Sequence, residues 1–175
     1  MELKEVLRIR RSVRKFTDQQ IPDEAIEQII SAGMMAPSGF GYKPWQVVVI
    51  RDPEVIAAMV GCRKGGAKTL ETATCAIAVF SDTDKTDTYI EDSSLFMGYM
   101  HLMATSLGIG SVWLQIRLRP SNTEGVSSEE FVRAQLSVPE NMSPEAILVM
   151  GYPESQPEPN PAPEFPNEAV HYDKW

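Results

Sequence analysis

Arg10-Arg11-Ser12-Val13-Arg14-Lys15-Phe16 packs four cations and a hydroxyl into one short stretch of a 175-residue chain whose formal net charge is −8. Arginine presents a planar fork that grips phosphate oxygens through two parallel hydrogen bonds, and the Ser12 hydroxyl can add a third. Solvated surfaces and helix C-termini also collect such residues, where they complement the helix dipole, and Glu2 to Ile9 reads as a helix ending here. Leu3, Val6 and Leu7 fall at helical spacing, so a structured element delivers the run. Taken alone, the stretch leaves a solvated helix end and a phosphate site both open.

Outward from it, Pro22 with Asp23 and Glu24 marks a second helix start, with Ile26, Ile29, Ile30 and Gly33 on one face. That helix stops near Ala36-Pro37, because the residue before proline is pushed out of helical geometry. The connection Ala36-Pro37-Ser38-Gly39-Phe40-Gly41-Tyr42-Lys43-Pro44-Trp45 follows. Its small residues let backbone approach a flat ligand, its prolines stiffen it, and its N–H groups are free to donate. Trp45 to Ile50 is β-branched and nearly uniformly apolar, which predicts an interior strand covered on both faces.

Pro53 to Val60 reads as a helix and Gly61 to Gly66 as a flexible connection. Its Gly-Cys-Arg-Lys-Gly-Gly run lacks the G-x-x-x-x-G-K-S/T pattern of a phosphate loop. Thr74 to Phe80 is a strand. Thr88 to Leu107 is the longest helix, and its apolar character beyond Leu95 predicts a buried central element. Met97, Met100 and Met103 read as adaptable core filler, and His101 as a structural histidine without a partner carboxylate or second histidine nearby. Gly108 and Gly110 close that helix before a strand from Ser111 to Arg117. Ser127 and Glu130 form a capping-box pattern ahead of Phe131, Val132 and Leu136, and Ala146 to Met150 is a last interior strand. Pro153 to Pro166 holds six prolines and predicts an extended strap. The apolar end Val170 to Trp175 suits docking on another surface.

At 43% apolar residues the chain suits one domain with a real core. Its 24 acidic against 16 basic residues argue against nucleic acid as a partner and against anionic membranes. Cys62 and Cys75 make no C-x-x-C or Cys/His cluster, so neither a disulfide framework nor a metal site is expected. No apolar run reaches the roughly 20 residues of a membrane span and the N-terminus is charged, so a cytoplasmic protein is expected.

The R-R-S-x-R run followed by A-P-S-x-x-x-x-x-P-W resembles the nitroreductase family of flavin enzymes. The resemblance continues through Leu107-Gly108-Ile109-Gly110-Ser111-Val112-Trp113 and Val149-Met150-Gly151-Tyr152-Pro153 to Val170-His171-Tyr172-Asp173-Lys174-Trp175, in the family's order. It implies an α+β fold, a central mainly antiparallel or mixed sheet flanked by helices, with residues 1–152 as the flavin-binding domain. Residues 153–175 would be an arm of that domain exchanged in a homodimer, docking on the partner subunit.

By the same resemblance FMN is the cofactor and NADH or NADPH the reductant. The second substrate is an electron-poor small acceptor, a nitroaromatic or quinone, served in a ping-pong scheme. The cofactor would carry the chemistry, so no catalytic triad is expected. Arg10, Arg11, Ser12 and Arg14 would hold the phosphate and ribityl end. Pro37, Ser38, Gly39 and Gly41 would line the ring from the other subunit. Trp113, Leu114, Gln115 and Ile116 would lie against the ring, with a backbone N–H donating to its redox-active nitrogen.

This chain has Gly41 and Lys43 where the family commonly has Asn and Gln, so Lys43 becomes the donor near the pyrimidine oxygens. The family's C-terminal basic residues are missing from 156–169, and Arg117 and Arg119 are the expected compensation. Two alternatives share the fold: a non-redox small-molecule or flavin binder, which the missing amides favour, and a flavin-dependent dehalogenase or flavin-fragmenting enzyme, which needs lid residues not recognised here.

Overall fold

A computed structural model describes residues 1–165 and 167–175; Pro166, the expected end of the strap, lies outside the described residues. Its helices are α1 (Leu3–Ile9), α2 (Asp23–Met34), α3 (Pro53–Ala58), α4 (Tyr89–Ser106) and α5 (Ser128–Leu136). Its strands are β1 (Trp45–Ile50), β2 (Cys75–Asp82), β3 (Gly110–Gln115) and β4 (Met142–Gly151), forming one sheet in the order β1-β2-β4-β3. All three strand pairs are antiparallel, so the chain has the expected α+β architecture.

Strand periodicity divides the core between the two sheet faces. Ala76, Ala78 and Phe80 of β2, with Ile147 and Val149 of β4, pack against Ile56 of α3 and Val132 of α5. The alternate residues Cys75, Ile77, Val79, Leu148 and Met150 pack against Ile26 and Ile29 of α2 and Phe96, Met97 and Met100 of α4. Gly33 lets the two helices of this layer meet, since a Cβ there would come within 2.8 Å of the Phe96 ring. Both cysteines are buried and unpaired, and burial pushes each thiol up to about 12.

Local rules account for several boundaries. Pro22 occupies the position before the first turn of α2, and Ser127 caps α5 reciprocally with Glu130, the capping box expected. Gly108, at φ +74°, takes the left-handed turn that follows α4.

Other expectations are corrected. β1 is an edge strand, not an interior one: Gln46 and Val49 are exposed, because only β2 pairs with it. Its nearly uniform apolar run is fully buried only at its two ends, Trp45 and Ile50. β3 stops at Gln115, leaving Arg117 in a turn, and the expected flexible connection is flanked by 3-10 turns at Met59–Cys62 and Ala67–Thr72. α4 is buried along one side only, with Leu95 and Tyr99 exposed at 44% and 39%. Residues 170–175, the end expected to dock on another surface, lie exposed on the single chain.

Candidate functional site

The arginine run is seated by backbone pairing. Ser12 bridges Ser111 in parallel, and the Val13 N–H donates to the Ser111 carbonyl at 3.0 Å. Phe16 bridges Pro153, and the Thr17 N–H donates to the Tyr152 carbonyl at 2.8 Å. Gly110 and Gly151, opposite one another in the sheet, make the slot beneath. A Cβ on Gly110 would meet Val13 at 2.9 Å, and one on Gly151 would meet Phe16 at 2.6 Å. The glycines of the L-G-x-G and M-G-Y-P motifs therefore admit the arginine segment across the sheet.

The arginines of the run diverge. Arg10 borders a groove with Leu95, Gly98 and Tyr99 of α4. Arg11 donates to the Glu158 carbonyl of the strap, which is also tied to α1 by the Asn160 N–H on the Arg8 carbonyl at 3.1 Å. Arg14 enters a cavity of about 580 Å³ with Lys15, Arg63, Gly65, Gly66, Lys68, Thr69, Glu71, Thr72, Val112, Trp113 and Leu114. Its volume falls in the range of small-molecule sites.

That cavity lies along the outer edge of β3. Because the Ser111 carbonyl faces the arginine segment, strand alternation turns the backbone polar groups of Trp113 and Gln115 to the same side, away from β4. The cavity thus combines an apolar wall, outward N–H donors and four cations with one carboxylate. This donor set fits a flat ligand bearing carbonyls and an anionic group.

Pro37, Ser38, Gly39, Gly41 and Lys43 lie beside β1, at the opposite edge of the sheet. Buried Asp92 of α4 organises them, accepting from the Gly39 N–H at 2.8 Å and from the Thr88 hydroxyl at 3.2 Å. Ser38 Oγ accepts from the Lys43 N–H at 3.0 Å. Phe40 (φ +51°), Gly41 (φ +74°) and Lys43 (φ +46°) all take left-handed backbone, and Phe40 is 92% exposed. No described cavity contains this loop together with Arg14 or Trp113.

Two polar networks support β3. His101 Nδ1 lies 2.8 Å from Ser111 Oγ, and its ring stacks on Trp113 with centroids 6.5 Å apart. Burial, and secondarily the Arg10 charge, lower its pKa to about 4. Trp113 Nε1 donates to Gln115 Oε1 at 2.7 Å, and Gln115 Nε2 to Glu145 Oε1 at 3.3 Å. Arg117 Nε reaches the same carboxylate at 2.8 Å. Arg117 is therefore committed to buried Glu145, and neither it nor Arg119 lines the cavity. Leu114 lines it, whereas Gln115 and Ile116 do not.

Sequence reading missed Arg63, Lys68 and Asp92. The first two stand in and beside the glycine-rich run, whose charge was the available signal; Asp92 carried none.

The nitroreductase family model matches residues 7–61 and 61–152. An Archaeoglobus fulgidus protein, provisionally named an NADH dehydrogenase/NAD(P)H nitroreductase, is 34% identical over 171 residues, covering 95% of this chain and 94% of the relative. A Methanothermobacter thermautotrophicus protein with the same provisional name is 30% identical over 178 residues, covering 100% of this chain and 88% of its own length. The solved structure of an FMN-dependent nitroreductase from Clostridium difficile R20291 superposes with a TM-score of 0.92 at 33% identity, covering 97% of this chain and 98% of that one. The chain belongs to the nitroreductase family and is an oxidoreductase of it.

Proposed function

We propose that this enzyme is an FMN-dependent oxidoreductase that passes electrons from NADH or NADPH to an electron-poor small acceptor, a nitroaromatic or quinone, in a ping-pong scheme. It works as a homodimer in which each site takes the β3 cavity from one chain and the 37–43 loop from the other. The observation that carries this reading is the separation of those two parts to opposite sheet edges of a single chain. A second copy closes the cavity with that loop, and the exposed Leu95 and Tyr99 face of α4 becomes buried. The strap, 153–175, docks on the partner with its exposed Tyr172 and Trp175.

Flavin, when bound, supplies the two-electron chemistry, so the chain's residues bind, orient and tune. Val112 and Leu114 provide an apolar wall for a ring, and Arg14 and Lys68 attract its electron-rich edge. The outward N–H groups of Trp113 and Gln115 are the donors available to the redox-active nitrogen. Arg10, Arg11 and Ser12 remain the candidates for the phosphate, with the strap free to release Arg11 when it docks on the partner.

Purified protein is expected to be yellow and dimeric by analytical ultracentrifugation, and to oxidise a nicotinamide with parallel double-reciprocal plots against a quinone. Colourless monomer that leaves added FMN unbound refutes the reading.

A further inference from the structure

Arg63 is half-buried, lines the β3 cavity and has no assigned partner. Among the described residues no carboxylate forms an ion pair with it, although Glu71 borders the same cavity. Its side chain folds back over Gly66, where a Cβ would come within 2.9 Å of Nε and 3.0 Å of Cζ. A half-buried guanidinium without a protein acceptor has lost part of its hydration and gains most from a ligand acceptor.

We propose that Arg63 is a cofactor-binding residue that grips the pyrimidine carbonyl edge of the flavin ring, not its phosphate; this rests on the FMN reading above. Arg63 shares its cavity with Val112, Trp113 and Leu114, the wall suited to a flat ring. Arg10, Arg11 and Ser12 do not line that cavity, so the ring end of the ligand faces Arg63. A fixed positive charge at that edge favours the electron-rich reduced ring over the oxidised one.

Full-length Arg63→Gln and Gly66→Ala are titrated with FMN and with riboflavin, and the midpoint potential of bound FMN is measured by dye equilibration. Arg63→Gln is expected to weaken both flavins equally, by about tenfold, the size of one charged hydrogen bond. Its potential falls by about 30 mV, equivalent to a further tenfold loss of affinity for the reduced form relative to the oxidised one. Gly66→Ala, whose Cβ displaces the guanidinium without removing it, moves both quantities the same way by less, and Arg63→Lys restores part of the potential. A loss confined to FMN, with riboflavin unchanged, places Arg63 at the phosphate and overturns the proposal, as does unaltered affinity and potential in Arg63→Gln. Wild-type protein that binds neither flavin instead refutes the cofactor reading beneath it.

Discussion

Residues 10–17 and residues 37–43 are both irregular backbone at the rim of the sheet, yet they are held by opposite means. The first lies in a slot cut by Gly110 and Gly151 and is paired to Ser111 and Tyr152 through main-chain hydrogen bonds. The second is gathered around one buried carboxylate, Asp92, and keeps left-handed backbone at Phe40 and Lys43. One region inherits the rigidity of the sheet; the other stores local strain against a few polar contacts. A surface that must fit a second molecule is expected to resemble the second kind.

Acid should have the largest effect, through the histidine beneath the first region, since His101 is bonded to the Ser111 that holds it. The folded pKa of His101, near 4, lies below the ordinary 6.5, so the unfolded chain takes up the proton first. Stability is then full above pH 6.5 and falls as pH drops from 6.5 toward 4, by about 3 kcal/mol at most. Urea unfolding midpoints across that window should show the slope in wild type and lose it in His101→Gln. A slope that persists in the variant would assign it to other groups.

Filling the slot is the next largest effect. Gly151→Ala drives a Cβ into Phe16, and overpacking should cost about 2 kcal/mol in chemical denaturation. Hydrogen exchange should quicken at Val13 and Thr17 while residues 38–43 stay unchanged. Asp92→Ala should do the reverse, costing about 1.5 kcal/mol through the orphaned Gly39 N–H and the lost bond from the Thr88 hydroxyl. Asp92→Asn retains an acceptor and should recover most of that loss. The smallest change is a gain: Phe40→Gly relieves positive φ at an exposed position and should raise stability by about 1 kcal/mol. A loss there would mean that Phe40 is buried in the assembled protein.

Much of the fold was legible because its signals are local. The Pro22 helix start, the Ser127 and Glu130 box, the proline after Ala36 and the β-branched run at Trp45 each act through their immediate neighbours. Less of the site was legible. Apolar residues in β1 read as interior, since composition records hydrophobicity and not which edges remain unpaired. Arg117 reads as a free cation because Glu145, 28 residues along, gives no sign in sequence of facing it. Arg63 stands in a run that matches no phosphate loop and Lys68 just beyond it, and tertiary folding alone puts them beside Arg14 and Trp113.

Residue order was enough to name the elements, the family-like motifs and the absence of a disulfide or zinc pattern, since those follow from short-range sterics, periodicity and spacing. Folding in three dimensions decided where each charge ends. Adjacent side chains point in different directions, so Arg10, Arg11 and Arg14 part company, while the distant glycines at 110 and 151 converge to carry the segment between them. Charge neighbourhoods depend on through-space distance, and one dimension of sequence does not contain it.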